Sequence, residues 1–140
     1  MLEKIKEADK KARSKYTYKY DPAGTDQWRS FAKDVLAGKA WKGDCDDLAS
    51  TACELAYRLG VPLKALWFAN VSSKRTTKID HMIAFAKIED RLYVIGDTFG
   101  PCYLATQMSH GPTRGDKFYV ANLTNVLDWK YLSLKEMLAA

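Results

Sequence analysis

Leu2, Ile5, Ala8 and Ala12 recur at helical spacing with charged residues between them, which predicts an amphipathic helix over residues 2–14. The stretch TYKYDPAGT interrupts that period with Asp21-Pro22 and Gly24. Thr25 or Asp26 then caps a second predicted helix, DQWRSFAKDVLAG. It would set Trp28, Phe31, Ala32 and Val35 on one side, with Gly38 as its stop. A third helix is predicted to start inside WKGDCDDLAS. Asp44 is a favourable N-cap, and Asp47 three residues on resembles a capping box with Asp in place of Glu. Leu48, Ala49, Ala52, Cys53, Leu55, Ala56 and Leu59 give this helix a broad apolar surface, so it should be largely buried, and Gly60-Val61-Pro62 ends it.

The period then changes. LKALWFANV, IDHMIAFAKI and RLYVIGDTF are short runs rich in aliphatic and aromatic residues, separated by polar loops, and they read as strands. SSKRTTK is a basic connection and KIEDR a tight hairpin turn. After the loop FGPCYLATQMSHGPTRGD comes a fourth strand, FYVANL. SLKEMLA is a closing short helix with Ser133 and Glu136 in capping-box positions. Helices first and an antiparallel sheet afterwards indicate an α+β fold, with N-terminal helices packed on a small antiparallel β-sheet. The expected organisation is a single domain over residues 1–140. It divides into a basic N-terminal helix or extension (1–20), a core (25–100) and a C-terminal loop, strand and short helix (101–140).

Composition changes this picture little: 47% hydrophobic and 28% charged residues are ordinary for a globular chain of 140 residues. No apolar run approaches the roughly 20 residues that span a bilayer, and the N-terminus lacks the apolar core of a secretory signal. Three cysteines at no metal-site spacing do not form a disulfide framework. A reducing cytoplasm, of a bacterium or of the host cell if the gene is a phage's, is the expected setting. The net charge of +5 is concentrated in the first 20 residues, in Lys4, Lys6, Lys10, Lys11, Arg13, Lys15 and Lys19. Glu3, Glu7 and Asp9 are interleaved with them. A solvated helix face is therefore favoured over a nucleic-acid contact.

Chemistry concentrates at Cys45. A cysteine attacks as thiolate, which a helix N-terminus favours, but Asp44, Asp46 and Asp47 oppose ionisation, so a cationic partner is needed. Of the two histidines, His81 sits in a predicted strand and His110 in a flexible-looking loop between Ser109 and Gly111. A general base must be held firmly, which favours His81. Asp97, near the end of the next strand, is the candidate partner for its second ring nitrogen. A hairpin turn centred on Glu89 would place His81 and Asp97 directly opposite. A two-residue turn at Glu89-Asp90 would instead oppose His81 to Thr98 and turn Asp97 away. Cys53 reads as core and Cys102 as structural or incidental. The three aspartates lack the twelve-residue loop of a calcium site and read as caps, so no metal or other cofactor is expected.

Gly43-Asp44-Cys45-Asp46-Asp47-Leu48-Ala49, then Gly60-Val61-Pro62, then His81-Met82-Ile83, then Gly96-Asp97 form an ordered set. In it the chain resembles the transglutaminase-like branch of the papain-like cysteine peptidases, and most of all the bacterial transglutaminase-like cysteine peptidases, a family also seen in phages. The resemblance covers about residues 25–100. It implies a papain-like, transglutaminase-like core, with Cys45 as nucleophile, His81 as base and acid, and Asp97 orienting the imidazole. The implied chemistry is attack on an amide carbonyl, a thioester intermediate, and acyl transfer to water or to an amine.

The Cys45 backbone N–H is a natural oxyanion donor at a helix start, with Gln27 or the Trp41 indole as candidates for the second. Trp41 and Asp44 are candidate cleft residues. The expected partner is a peptide or peptide-like substrate, murein included. Two alternatives stand beside this reading. An NlpC-type peptidoglycan peptidase shares the Asp-Cys start to a buried helix but has small residues where this chain has Asp46-Asp47. A non-enzymatic, virion-associated binding module would keep the fold and use the basic N-terminal helix, for nucleic acid among other partners.

Overall fold

The computed structural model describes residues 1–20, 29–76 and 78–140. The apolar runs of the second half become strands that are hydrophobic on both faces, because helices cover both sides of the sheet they build. The elements are α1 (Leu2–Arg13), β1 (Tyr16–Tyr18), α2 (Ala32–Leu36), β2 (Trp41–Gly43), α3 (Cys45–Arg58), β3 (Leu66–Val71), β4 (His81–Ile88), β5 (Arg91–Ile95), β6 (Tyr103–Leu104), β7 (Phe118–Asn122), β8 (Trp129–Leu132) and α4 (Leu134–Ala139). Strands β3 to β8 form one six-stranded antiparallel sheet in the order β6-β5-β4-β3-β7-β8. The short β1 and β2 pair in parallel beside it.

One face of the sheet, with Leu66, Phe68, Met82, Ala84, Ala86 and Ile95, packs on Ile5, Ala8 and Ala12 of α1 and on Leu48, Ala49, Ala52 and Leu55 of α3. The alanines let both helices approach closely. The other face, with Trp67, Ala69, Ile83, Phe85, Val94, Phe118 and Val120, is closed by Met137 of α4. Fully buried side chains such as Leu48, Ile83 and Met137 each contribute about 1.5–3 kcal/mol by leaving water.

The α+β expectation holds, with four helices among the described residues and a larger sheet than the four strands anticipated. Strands β6 and β8 are too short or too polar to announce themselves. The third helix and its Asp44–Asp47 capping box form as expected, as does the Ser133–Glu136 box of α4. Among the described residues of the second helix only Ala32–Leu36 is helical, and its anticipated start, with Gln27 and Trp28, lies outside them. Among the described residues no helix is long and apolar enough to cross a membrane.

Candidate active site

Cys45 opens α3. Asp44 Oδ1 accepts the Asp46 and Asp47 N–H groups at 3.2 and 3.3 Å, and Asp47 Oδ2 accepts the Asp44 N–H at 3.2 Å. Gly43 must be glycine here, since a Cβ would lie 2.6 Å from the Asp47 Cβ. The capping box therefore sets the direction in which Cys45 enters the helix. Its Sγ lies 3.6 Å from Asp46 Oδ1. Burial, with the Asp46 and Asp44 charges added to it, pushes the thiol up to about 12, while the Met82 backbone N–H pulls the other way. That N–H belongs to the residue after His81, so α3 begins against the start of β4.

His81 is the first residue of β4 and Asp97 lies two residues beyond the end of β5, which puts both at one end of the sheet. His81 Nε2 is 2.9 Å from Asp97 Oδ1, and the two side chains are buried. The route to this contact differs from the anticipated one. Ile88 pairs with Arg91 and Ala84 with Ile95, so the hairpin has the two-residue Glu89-Asp90 turn that should have turned Asp97 away. Gly96 corrects the direction. Its φ of +64° breaks the strand alternation, and a Cβ there would lie 2.7 Å from the Ala49 Cα and 3.0 Å from the Leu48 carbonyl oxygen. Only glycine lets the chain turn against α3 and swing Asp97 back towards His81.

Asp97 is held from several sides. His110 Nε2 lies 2.7 Å from Oδ2, Tyr103 donates its hydroxyl to Oδ2 at 2.6 Å, and the Phe99 N–H donates to Oδ1 at 3.0 Å. Burial alone would raise this carboxyl. The hydrogen bonds from His110, His81, Tyr103 and Phe99 outweigh it and hold Asp97 well below the usual carboxylate range. The same bonds push the Tyr103 phenol up, with burial the larger cause. The Phe99 ring, 62% exposed, stands 4.8 Å from the ring centroids of both His81 and His110.

The loop carrying Asp97 is clamped from below by α1. Asp9, 1% exposed, accepts the Gly96 N–H at 2.7 Å and the Cys102 N–H at 2.9 Å. Its i+4 neighbour Arg13 bonds both Asp9 oxygens and donates to the Asp97 and Gly100 carbonyls. The helix expected to be a solvated charged face thus sends a buried aspartate, paired with the half-buried Arg13, into the site.

The anticipated residues are distributed as follows. His81 and Asp97 are in contact. Cys45 meets the start of β4 through Met82, while its hydrogen bond runs to Asp46 rather than to His81. Trp41 is only 4% exposed, stacks on Phe31 and donates its indole N–H to the Ala12 carbonyl at 3.0 Å. It is a core residue whose N–H is already engaged. Asp44 is a buried cap. Gln27 lies outside the described residues. His110, placed by its sequence in a flexible loop, is 1% exposed and fixed on Asp97. His110, Tyr103, Phe99, Asp9 and Arg13 were not anticipated. The i,i+4 spacing of Asp9 and Arg13 was legible as an ion pair, but nothing local marked it as buried.

The ligand atoms of His81, Asp97 and His110 all lie within 4.8 Å of one another, the donor set of a metal site. The N···O distances of 2.9 and 2.7 Å are those of hydrogen bonds. Ligands about 2.0 Å from one tetrahedral ion would stand roughly 3.3 Å apart. The cluster as folded is a hydrogen-bonded one.

No family model and no curated protein matches the sequence. Solved structures of LapG from Legionella pneumophila do match the fold. The calcium-bound form is 18% identical with a TM-score of 0.62, over 99% of this chain and 77% of that one. The EGTA-treated form is 16% identical with a TM-score of 0.61, over 93% and 71%. A third LapG structure is 17% identical with a TM-score of 0.60, over 86% and 66%. At these identities the likeness establishes the architecture: a LapG-like, transglutaminase-like α+β fold.

Proposed function

We propose that the protein is a cysteine peptidase or amidase in which Cys45 attacks an amide carbonyl and His81, oriented by Asp97, moves the proton. The observation that supports it best is the buried His81–Asp97 pair at the end of the sheet against which the Cys45 helix begins. Asp97 engages Nε2, which leaves Nδ1 of His81 as the ring nitrogen for the thiol. With the thiol up near 12, Cys45 rests protonated, so His81 acts as general base during attack rather than as half of a standing ion pair.

The steps then balance. Sγ bonds to the carbonyl carbon as its proton passes to His81 Nδ1, and the oxyanion is met by the Cys45 backbone N–H at the helix start. The C–N bond breaks as His81 returns the proton to the leaving amine, leaving a thioester. Water attacks the thioester, His81 takes its proton, and the acid and thiol are released. Phe99, exposed beside His81, offers an apolar surface for the acyl side chain.

Calcium, named for one of the LapG structures, takes carboxylate oxygens. The carboxylates nearest Cys45 are Asp44, whose Oδ1 already accepts the Asp46 and Asp47 N–H groups, and Asp46, whose Oδ1 lies 3.6 Å from Sγ. A dication beside them would offset the two charges that hold the thiol up, and so favour ionisation of Cys45.

The test is acylation by p-nitrophenyl acetate, an activated acyl donor, with the adduct located by mass spectrometry. A burst with acetyl on Cys45, absent in Cys45→Ser and strongly slowed in His81→Ala, is expected. Equal labelling of Cys45, Cys53 and Cys102, unaffected by His81→Ala, would favour the binding-module alternative. Partitioning of the adduct between water and added hydroxylamine separates hydrolysis from transfer to an amine.

A further inference from the structure

Resting on the reading of His81 as the base, we infer that His110 is a positioning residue of the same site, a second imidazole that fixes Asp97 and thereby selects which nitrogen of His81 faces the thiol. The geometry is specific. Asp97 is ionised and accepts hydrogen bonds only. Both Nε2 atoms lie within hydrogen-bond distance of it, one on each carboxylate oxygen. Each ring must therefore carry a proton on Nε2, and in the neutral imidazole Nδ1 is then the lone pair.

For His81 that lone pair is the base. For His110 it is a buried acceptor with no hydrogen-bond partner. A buried polar atom left unmatched costs stability, so a ring chosen for packing alone would be better replaced by an apolar one. What the ring supplies is its other nitrogen.

Without that donor, Oδ2 would keep only the Tyr103 hydroxyl. The carboxylate could then rotate about its Cβ–Cγ bond, and His81 could turn its ring over and present the wrong nitrogen. His110 thus acts through Asp97 and His81 and touches no reacting atom. The rings of His81 and His110 also contact each other, 4.7 Å between centroids, so the second imidazole limits the tilt of the first.

The experiment uses the full chain and two substitutions. His110→Gln keeps an amide N–H that can reach Asp97, whereas His110→Leu keeps volume without a donor. Long-range 1H–15N correlation spectra report the tautomer of His81 directly, with no need for activity. The expected result is a single Nε2–H tautomer in the wild type, a mixture of tautomers in His110→Leu, and recovery of the single form in His110→Gln.

Acylation of Cys45 by p-nitrophenyl acetate should fall roughly tenfold in His110→Leu, the loss of about one hydrogen bond's worth of orientation, and return most of the way in His110→Gln. Three results would overturn the inference. One is a His81 spectrum unchanged in His110→Leu. Another is equal loss in both variants in step with a lowered melting temperature, the mark of a merely structural ring. The third is one equivalent of metal in the purified wild type, measured by mass spectrometry, that disappears with either substitution. If His81→Ala itself leaves acylation unchanged, the catalytic reading fails, while the tautomer spectra still decide the role of His110.

Discussion

Two buried polar clusters meet at one end of this molecule, and they are built differently. The cluster around Asp97 draws donors from β4, from β6, from the loop holding His110 and from its own turn, and α1 grips its backbone from below. The cluster around Cys45 centres on a single turn of helix, and most of its charge is negative. The first stabilises its ionised member; the second keeps its thiol neutral. On the proposed reading, a base organised before any substrate arrives would serve a nucleophile that is not yet charged. That reading requires the proton to move within the reaction, or a cation to change the balance beside Cys45 first.

The largest expected effect is on the Asp97 side. Asp97→Ala would leave two imidazoles, a phenol and a backbone N–H without their acceptor, and should cost roughly 3–5 kcal/mol in urea denaturation. The pH profile follows in sign. A carboxyl held low in the fold contributes stability that is fully present above its unfolded value of about 3.9. That contribution is lost as pH falls below it towards the folded value. Wild type should lose stability over that acid range more steeply than Asp97→Asn. Parallel curves would mean that the cluster is not coupled to folding.

Next comes Asp9→Ala, which strips the Gly96 and Cys102 N–H groups and Arg13 of a buried partner. A loss of about 2–4 kcal/mol is expected. Acylation of Cys45 should slow with it, although Asp9 touches no reacting group. Unchanged acylation at a lowered stability would separate the clamp from the site.

The Cys45 side should respond less. Asp46→Asn should bring the thiol down from about 12 by roughly one unit, read from the pH dependence of iodoacetamide alkylation. Because this thiol lies above its unfolded value of about 8.5, the fold should also lose stability as pH rises from there towards 12. Adding calcium to EGTA-treated protein should speed alkylation of Cys45 in the wild type and not in Asp46→Asn. Identical rates with and without calcium would remove the cation from the scheme.

How legible each cluster was in the sequence follows from the same contrast. The cap around Cys45 is local: Asp44, Cys45 and Asp47 are within one helical turn, so spacing alone identifies it. The pair His81 and Asp97 was recognisable by residue type and order, yet the register argument for it failed. Strand alternation stops at Gly96, and a left-handed glycine is a tertiary requirement imposed by α3. His110 sits in a loop punctuated by glycine and proline, where composition suggests mobility and only the acceptor at Asp97 makes it rigid. Asp9 and Arg13 look like any exposed i,i+4 pair until the turn after β5 is laid on top of them.

That turn has a consequence for the order in which the protein is completed. The bonds from Asp9 to Gly96 and to Cys102 span 87 and 93 positions of the chain. Contacts so distant in sequence close late, because the intervening chain must first be in place. On a ribosome the helix that bears Cys45 emerges well before the segment that bears Asp97 and His110, and that segment is fixed only when it docks on the first helix. If the proposed activity holds, a young chain would be inert, and competence would arrive with the closing of the fold itself.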